Sequence, residues 1–250
     1  MTVTNGLGIQ SFCFRAFKEH EQVISKLKEC GVSTIEICGV HADFSDAGSF
    51  DDIVGMYKSS GVDIVSIGVL GFADKEATER LYFEFAKKAG ARFMSVDFDI
   101  DTFPACFRTA ENLAEEYDMH LGIHNHGGRH WLGPATMLEH VMANTNRRIG
   151  LCLDTAWALD SHEDPVKMAE VLADRLYGVH LKDFVFGPDG KPEDVVVGTG
   201  NLDLERLVEK MENANFNGYA VIEYEGDVEN PVPALTKCVD AINKTSIGTG

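Results

Sequence analysis

Eight short runs rich in β-branched and apolar residues recur along the chain. Each gives way to a longer stretch whose apolar positions return every three or four residues. The runs fall near 6–13 (GLGIQSFC), 33–38 (STIEIC), 62–69 (VDIVSIGV), 92–97 (RFMSVD), 120–126 (HLGIHNH), 149–154 (IGLCLD), 177–183 (YGVHLKD) and 219–225 (YAVIEYE). The helical patterns lie near 19–30, 50–60, 74–89, 105–118, 134–143, 164–175, 202–214 and 231–243. Gly31, Gly61 and Gly90 each close a Lys/Glu-rich turn just before a strand, as helix ends commonly do. Strict strand–helix alternation predicts a parallel sheet, and eight repeats predict its closure into a single (β/α)8 barrel over residues 1–250. The alternative is an open doubly wound sheet, which would usually carry a Gly-rich dinucleotide fingerprint after its first strand; GIQSFCFRAF is not one. Gly122, Gly150 and Gly178 recur every 28 residues near the starts of their strands, where a crowded barrel interior would need the room.

Side-chain parity within the strands decides what such a barrel would hold, because successive residues point to opposite faces. In 120–126, Leu121 and Ile123 belong outward against helices, which turns His120, Gly122, His124 and His126 inward. The same argument places Cys152 and Asp154 inward on the sixth strand, and His180 and Lys182 inward on the seventh. The last strand is apolar on both faces; we place Val221, Glu223 and Glu225 inward, and Glu36 inward on the second strand. His124, Asp154, His180 and Glu223 would then converge at the C-terminal ends of four consecutive strands, where barrel enzymes keep their active sites. Two imidazoles with two carboxylates suit one divalent ion, Mn, Zn, Fe or Co, with Mg also admitted. A lone inward histidine is more often a hydrogen-bonded core group, and Asp154 alone could merely start a turn; the constellation is what argues for a metal.

Composition excludes more than it assigns. The formal net charge of −18, from 40 acidic against 22 basic residues, opposes a nucleic-acid or anionic-membrane partner. The six cysteines are scattered in apolar runs with no C-x-x-C pair, which fits buried thiols in a reducing compartment. MTVTNGLGIQ lacks a basic segment followed by an apolar core, and no apolar run approaches the ~20 residues of a membrane span, so a cytoplasmic location is expected.

The motifs HNH, CLDTAWAL, GVHLKDF, GTGNLD and VIEYEG, in that order, with GIQSFCFRAF and STIEICG at the start, resemble the xylose isomerase-like TIM-barrel superfamily. More narrowly they resemble its sugar phosphate isomerase/epimerase branch, which includes inosose dehydratase-like proteins. The resemblance covers essentially the whole chain and implies one divalent ion held by a strand-five carboxylate, Asp154, His180 and Glu223. His124 stands where the epimerases carry the first of two proton-exchanging glutamates, and Trp157 stands where many relatives carry the histidine of D-T-x-H. A homo-oligomer is expected by family analogy alone.

The chemistry implied is removal of a proton next to a carbonyl of a sugar or keto-polyol, with the enediolate stabilised by one divalent ion. Glu223 is expected as ligand and base, His126 as acid/base or hydroxyl contact, and Lys182 as partner of the developing oxyanion. Glu36, Trp157, Trp131 and Glu225 are expected to bind substrate, although for Lys182 and Glu36 a salt bridge across the barrel competes with these roles. An isomerase or epimerase leads, and a dehydratase or lyase follows closely because of His124. A non-catalytic sugar-binding barrel and an AP endonuclease are further alternatives; the latter is opposed by the charge and by the absence of histidine in DIVSIGVLGF. Gly198–Thr199–Gly200 could hold an anion such as phosphate ahead of a helix capped by Asn201, though an ordinary tight turn competes. Trp131, Phe184 and Phe186 are expected in loops on the active face.

Overall fold

The computed structural model describes residues 6–247; the first half of MTVTNGLGIQ lies outside the described residues. Eight parallel strands close into a barrel: β1 (Gly8–Gln10), β2 (Thr34–Ile37), β3 (Asp63–Phe72), β4 (Phe93–Phe98), β5 (His120–His124), β6 (Ile149–Asp154), β7 (Leu176–Leu181) and the closing β10 (Tyr219–Ile222), which pairs with both β7 and β1. Around them run α1 (His20–Glu29), α2 (Phe50–Ser59), α3 (Glu76–Ala89), α4 (Ala105–Tyr117), α5 (Ala135–Ala143), α7 (Pro165–Val171), α8 (Leu204–Asn213) and α9 (Val232–Ile247). No described helix is long and apolar enough to cross a membrane. All six cysteines are free and buried.

Two elements fall outside the regular alternation. A short helix, α6 (Thr155–Asp160), follows β6 directly and starts on the Asp154 side chain, which accepts from Trp157 N at 2.7 Å. An antiparallel hairpin of β8 (Asp183–Phe186) and β9 (Pro192–Val195) follows β7. Its Pro-Asp-Gly turn closes through Gly190, whose positive φ of +75° suits glycine.

Parity holds where it matters for the site. Leu121, Ile123, Leu151, Leu153, Val179 and Leu181 are fully buried in the large core between strands and helices. Cys152, Tyr219 and Val221 form a separate cluster with Val65 and Phe93 in the lower part of the barrel interior. There a Cβ on Gly178 would stand 2.5 Å from the Tyr219 ring, and one on Gly122 would stand 2.9 Å from Cys152. The recurrent glycines thus make room for side chains of the neighbouring strand. Register then stacks the upper ends: His124 is opposite Cys152, Asp154 opposite His180, and His180 opposite Val221.

Candidate metal centre and active site

Four side chains converge at the C-terminal ends of β5, β6, β7 and β10. One ligand-competent atom from each of His124, Asp154, His180 and Glu223 lies within 4.8 Å of all the others, and all four residues are buried. His124 Nε2 is 3.5 Å from Asp154 Oδ2 and 3.6 Å from Glu223 Oε2. His180 Nδ1 and Glu223 Oε2 are hydrogen-bonded at 2.8 Å. Yet both nitrogens of His124, Asp154 Oδ2 and His180 Nε2 have no hydrogen-bond partner. Buried polar atoms are seldom left unsatisfied, since each costs roughly 1–3 kcal/mol. Unpaired His124 Nε2 and Asp154 Oδ2 face each other beside Glu223 and His180, and two imidazoles with two carboxylates so placed fit a divalent cation.

The surrounding shell fixes these groups. Asn125 spans the ends of β5 and β6, with Asp154 N donating to its Oδ1 (2.8 Å) and its Nδ2 donating to Asp154 O (2.9 Å). Asp154 Oδ1 caps α6 while Oδ2 faces His124, so turn-starting and site roles coincide in one carboxylate. Thr155 Oγ1 accepts from Lys182 N at 2.9 Å, tying β6 to the end of β7. For Asn125 the sequence offers one signal, its position between the two histidines of HNH, and for Thr155 it offers none.

Glu36 lies beneath the centre. It is fully buried, and its Oε1 accepts from Gln10 Nε2 and Ser95 Oγ, each at 3.0 Å. His180 Nε2 stands 2.9 Å from that oxygen without the alignment of a hydrogen bond. This placement makes Glu36 a charge partner across the barrel, not a group at the mouth. Lys182 is likewise buried and pairs with Glu225, with Asp194 of the hairpin 3.9 Å away. Its ammonium lies over the rings of Trp157 (5.1 Å) and Phe184 (5.6 Å). Trp131 donates its indole N–H to Phe98 O at 3.0 Å and packs edge-on against Phe103 and Phe107.

Electrostatics separates the roles. Burial opposes charge on Glu223, but Lys182 and His180 outweigh it and hold the carboxyl well below its usual range. Burial likewise opposes charge on His124, yet its contacts with Asp154 and Glu223 raise it above the ordinary histidine value. His126 is the opposite case. Burial and the neighbouring His124 and His130 push it down to about 3, so it stays neutral. Its ring stands 4.7 Å, centre to centre, from both His124 and His130.

The Gly198–Thr199–Gly200 loop is occupied by the chain itself. The Asp183 carboxylate accepts from Gly198 N (3.0 Å), Gly200 N (2.8 Å) and Leu202 N (2.9 Å). Those amides are therefore not free for a substrate phosphate, and the cap of α8 is Asp203, which accepts from Arg206 N, not Asn201.

The family model for the xylose isomerase-like TIM barrel matches residues 24–244. The chain belongs to this family. It is 22% identical over 215 residues to the 3-oxo-isoapionate decarboxylase of Pectobacterium atrosepticum, covering 81% of this chain and 76% of that protein. It is 25% identical over 151 residues to the inosose dehydratase of Geobacillus thermodenitrificans, covering 54% and 50%. The chain spans half or less of the length of two of the curated relatives it matches. Among solved structures, a xylose isomerase-like TIM barrel protein from Mycobacterium smegmatis in complex with magnesium superposes with a TM-score of 0.80 over 99% of both chains, at 10% identity. The two curated relatives named are thus a decarboxylase and a dehydratase, and the buried His/Asp/Glu group of this chain is of a kind that can bind a metal.

Proposed function

We propose that this protein removes a proton next to the carbonyl of a keto-sugar or keto-polyol and carries the resulting enediolate onward, with His124, Asp154, His180 and Glu223 holding one divalent ion. The observation that carries this reading is the convergence of four buried ligand-type residues, several of whose polar atoms have no partner within the protein. When bound, such an ion would act as a Lewis acid toward the carbonyl and adjacent hydroxyl oxygens.

The chain's own groups supply the rest. Glu223, held ionised by Lys182 and His180, is the base, and the proton it takes rests on its carboxylate. His126, neutral and on the rim beside His124, offers a hydrogen bond to the reacting oxygen, and the proton taken by Glu223 is handed back from its carboxyl to the leaving hydroxyl or to the neighbouring carbon. Lys182 fixes Glu225 and Asp194 and lends positive potential to the developing oxyanion. Trp157 and Phe184, packed edge-to-face at 5.2 Å around the Lys182 ammonium, exclude water from that side.

With His124 in place of a second glutamate, the carboxylate base is on one side of the site. That asymmetry favours a lyase, in which a β-hydroxyl or β-glycosyl group departs, over symmetrical epimerisation. Isomerisation between adjacent carbons is the second reading, because one base can also serve it. The test is to incubate metal-loaded enzyme with a panel of keto-inositols, ketoses and keto-glycosides in D2O. An enone chromophore with loss of water or alcohol supports the lyase. Deuterium incorporation into a rearranged sugar supports the isomerase. Neither product across the panel, with metal bound, sinks both.

A further inference from the structure

We propose that this chain has a second metal site, beside the first, formed by Asp97, His126 and His130. One ligand-competent atom from each of the three lies within 4.8 Å of the others. Asp97 is the penultimate residue of β4, and its Oδ1 is engaged by Phe98 N at 2.8 Å. Its other oxygen, Oδ2, faces His130 Nε2 at 3.3 Å. His126 Nδ1 is buried without a partner. The cluster thus shares two features with the main centre: the end of β4 and the segment after β5 bring borderline ligands close together, and one buried ligand nitrogen, His126 Nδ1, is left unpaired.

The two sites differ in surroundings. The four residues of the first are buried, whereas Asp97 and His130 keep 30% and 28% of their side-chain exposure. A surface cavity of about 680 Å³, lined by Asp97, His130, Arg129, Trp131, Phe72 and Ile100 among others, opens onto them. An ion can therefore enter and keep open positions for water or a ligand oxygen. Three protein ligands, two of them imidazoles, suit zinc or cobalt better than magnesium. His130 Nδ1 accepts from Leu132 N at 3.3 Å, which turns Nε2 toward Asp97. Ligation through Nε2 moves the ring proton to Nδ1 and breaks that long contact, so the Leu132 amide reports occupancy. With the ion in place His126 is a ligand and no longer a hydrogen-bond partner of the reacting oxygen. In that one respect the site bears on the proposed function; its existence does not depend on it.

The experiment is equilibrium dialysis of chelator-stripped protein against micromolar zinc, with metal counted by mass spectrometry. Three proteins are compared: wild type, Asp97→Asn/His130→Gln and His180→Gln/Glu223→Gln. Two zinc ions per chain in wild type and one in each variant are expected, with the wild-type Leu132 amide resonance shifting as the second ion binds. A zinc count left unchanged by Asp97→Asn/His130→Gln overturns the proposal. One ion in wild type that is lost only in Asp97→Asn/His130→Gln upholds this site and instead removes the metal centre from the proposed function. Thermal melts identify any variant that fails to fold, and the single substitutions Asp97→Asn and His130→Gln then carry the test.

Discussion

The two ends of the barrel interior are built from the same strands and treat polarity in opposite ways. At the lower end Phe93, His120, Tyr177 and Tyr219 stack into a filled layer with ring centres 4.6–6.3 Å apart, and the Tyr219 hydroxyl donates to Cys152 Sγ at 3.2 Å. At the upper end, four residues beyond His120 on β5 and four beyond Tyr219 on the last strand, imidazoles and carboxylates crowd together with many polar atoms unpaired. One end is packed to be stable, and the other is held ready to receive something. The strand ladder makes both possible: each residue step along a strand is about 3.3 Å, so four steps separate an aromatic plug from a charged pocket.

Substitutions at the two ends should therefore separate binding from stability. The largest effect is expected from His180→Ala/Glu223→Ala, which removes two of four ligands. Metal content should fall from about one equivalent to background at the main centre, and turnover by about a thousandfold or more. Elemental analysis and a turnover assay check both; full metal retention would break the contrast between the ends. Next, Gly178→Val drives side-chain atoms into the Tyr219 ring and should destabilise the fold by roughly 1–3 kcal/mol through overpacking. Urea unfolding measures that loss, and metal affinity of the folded fraction should not change.

A comparable cost, about 2 kcal/mol, is expected for Asp183→Asn, because three backbone N–H groups lose a charged acceptor. A smaller, pH-dependent effect belongs to the hairpin. Burial pushes the Asp194 carboxyl up to about 7, despite the opposing Lys182. An unfolded aspartate titrates near about 3.9, so between about 4 and 7 the folded chain binds the extra proton and stability falls as pH rises. Hydrogen exchange of β8 and β9 should thus show protection declining over that range in wild type and flatter behaviour in Asp194→Asn. At the bottom of the scale, breaking the exposed Lys26–Glu29 pair (3.3 Å) should change stability by less than about 0.5 kcal/mol, within the error of a urea titration.

Much of this was legible in the chain because two periodicities carry it. The alternation that buries Leu121 and Ile123 outward also fixes where His124 points, and the same holds for Asp154 and His180. Glu223 needed a choice between faces, since apolar residues flank it on both; Val221, two positions earlier, does face the interior cluster. The helix α6 escaped because six residues give too little of a 3.6-residue period to detect. The hairpin went unread despite the Pro-Asp-Gly signal in FGPDGK, since its strands are four residues each. Contacts between distant residues left no local trace at all. Nothing near Gly200 announces that Asp183 fills its loop, and nothing near Glu36 announces the hydrogen bonds from Gln10 and Ser95.

The filled loop has a consequence for rescue chemistry. Three amides fixed around the Asp183 carboxylate form a receptor whose guest is covalently tethered, and a Cβ on Gly200 would collide with that guest at 2.6 Å. Cutting the tether with Asp183→Ala leaves the receptor short of an anion while its backbone is otherwise unaltered. Free acetate or formate, which matches the lost carboxylate in shape and charge, should then restore melting temperature in a saturable manner to the variant and leave wild type unmoved.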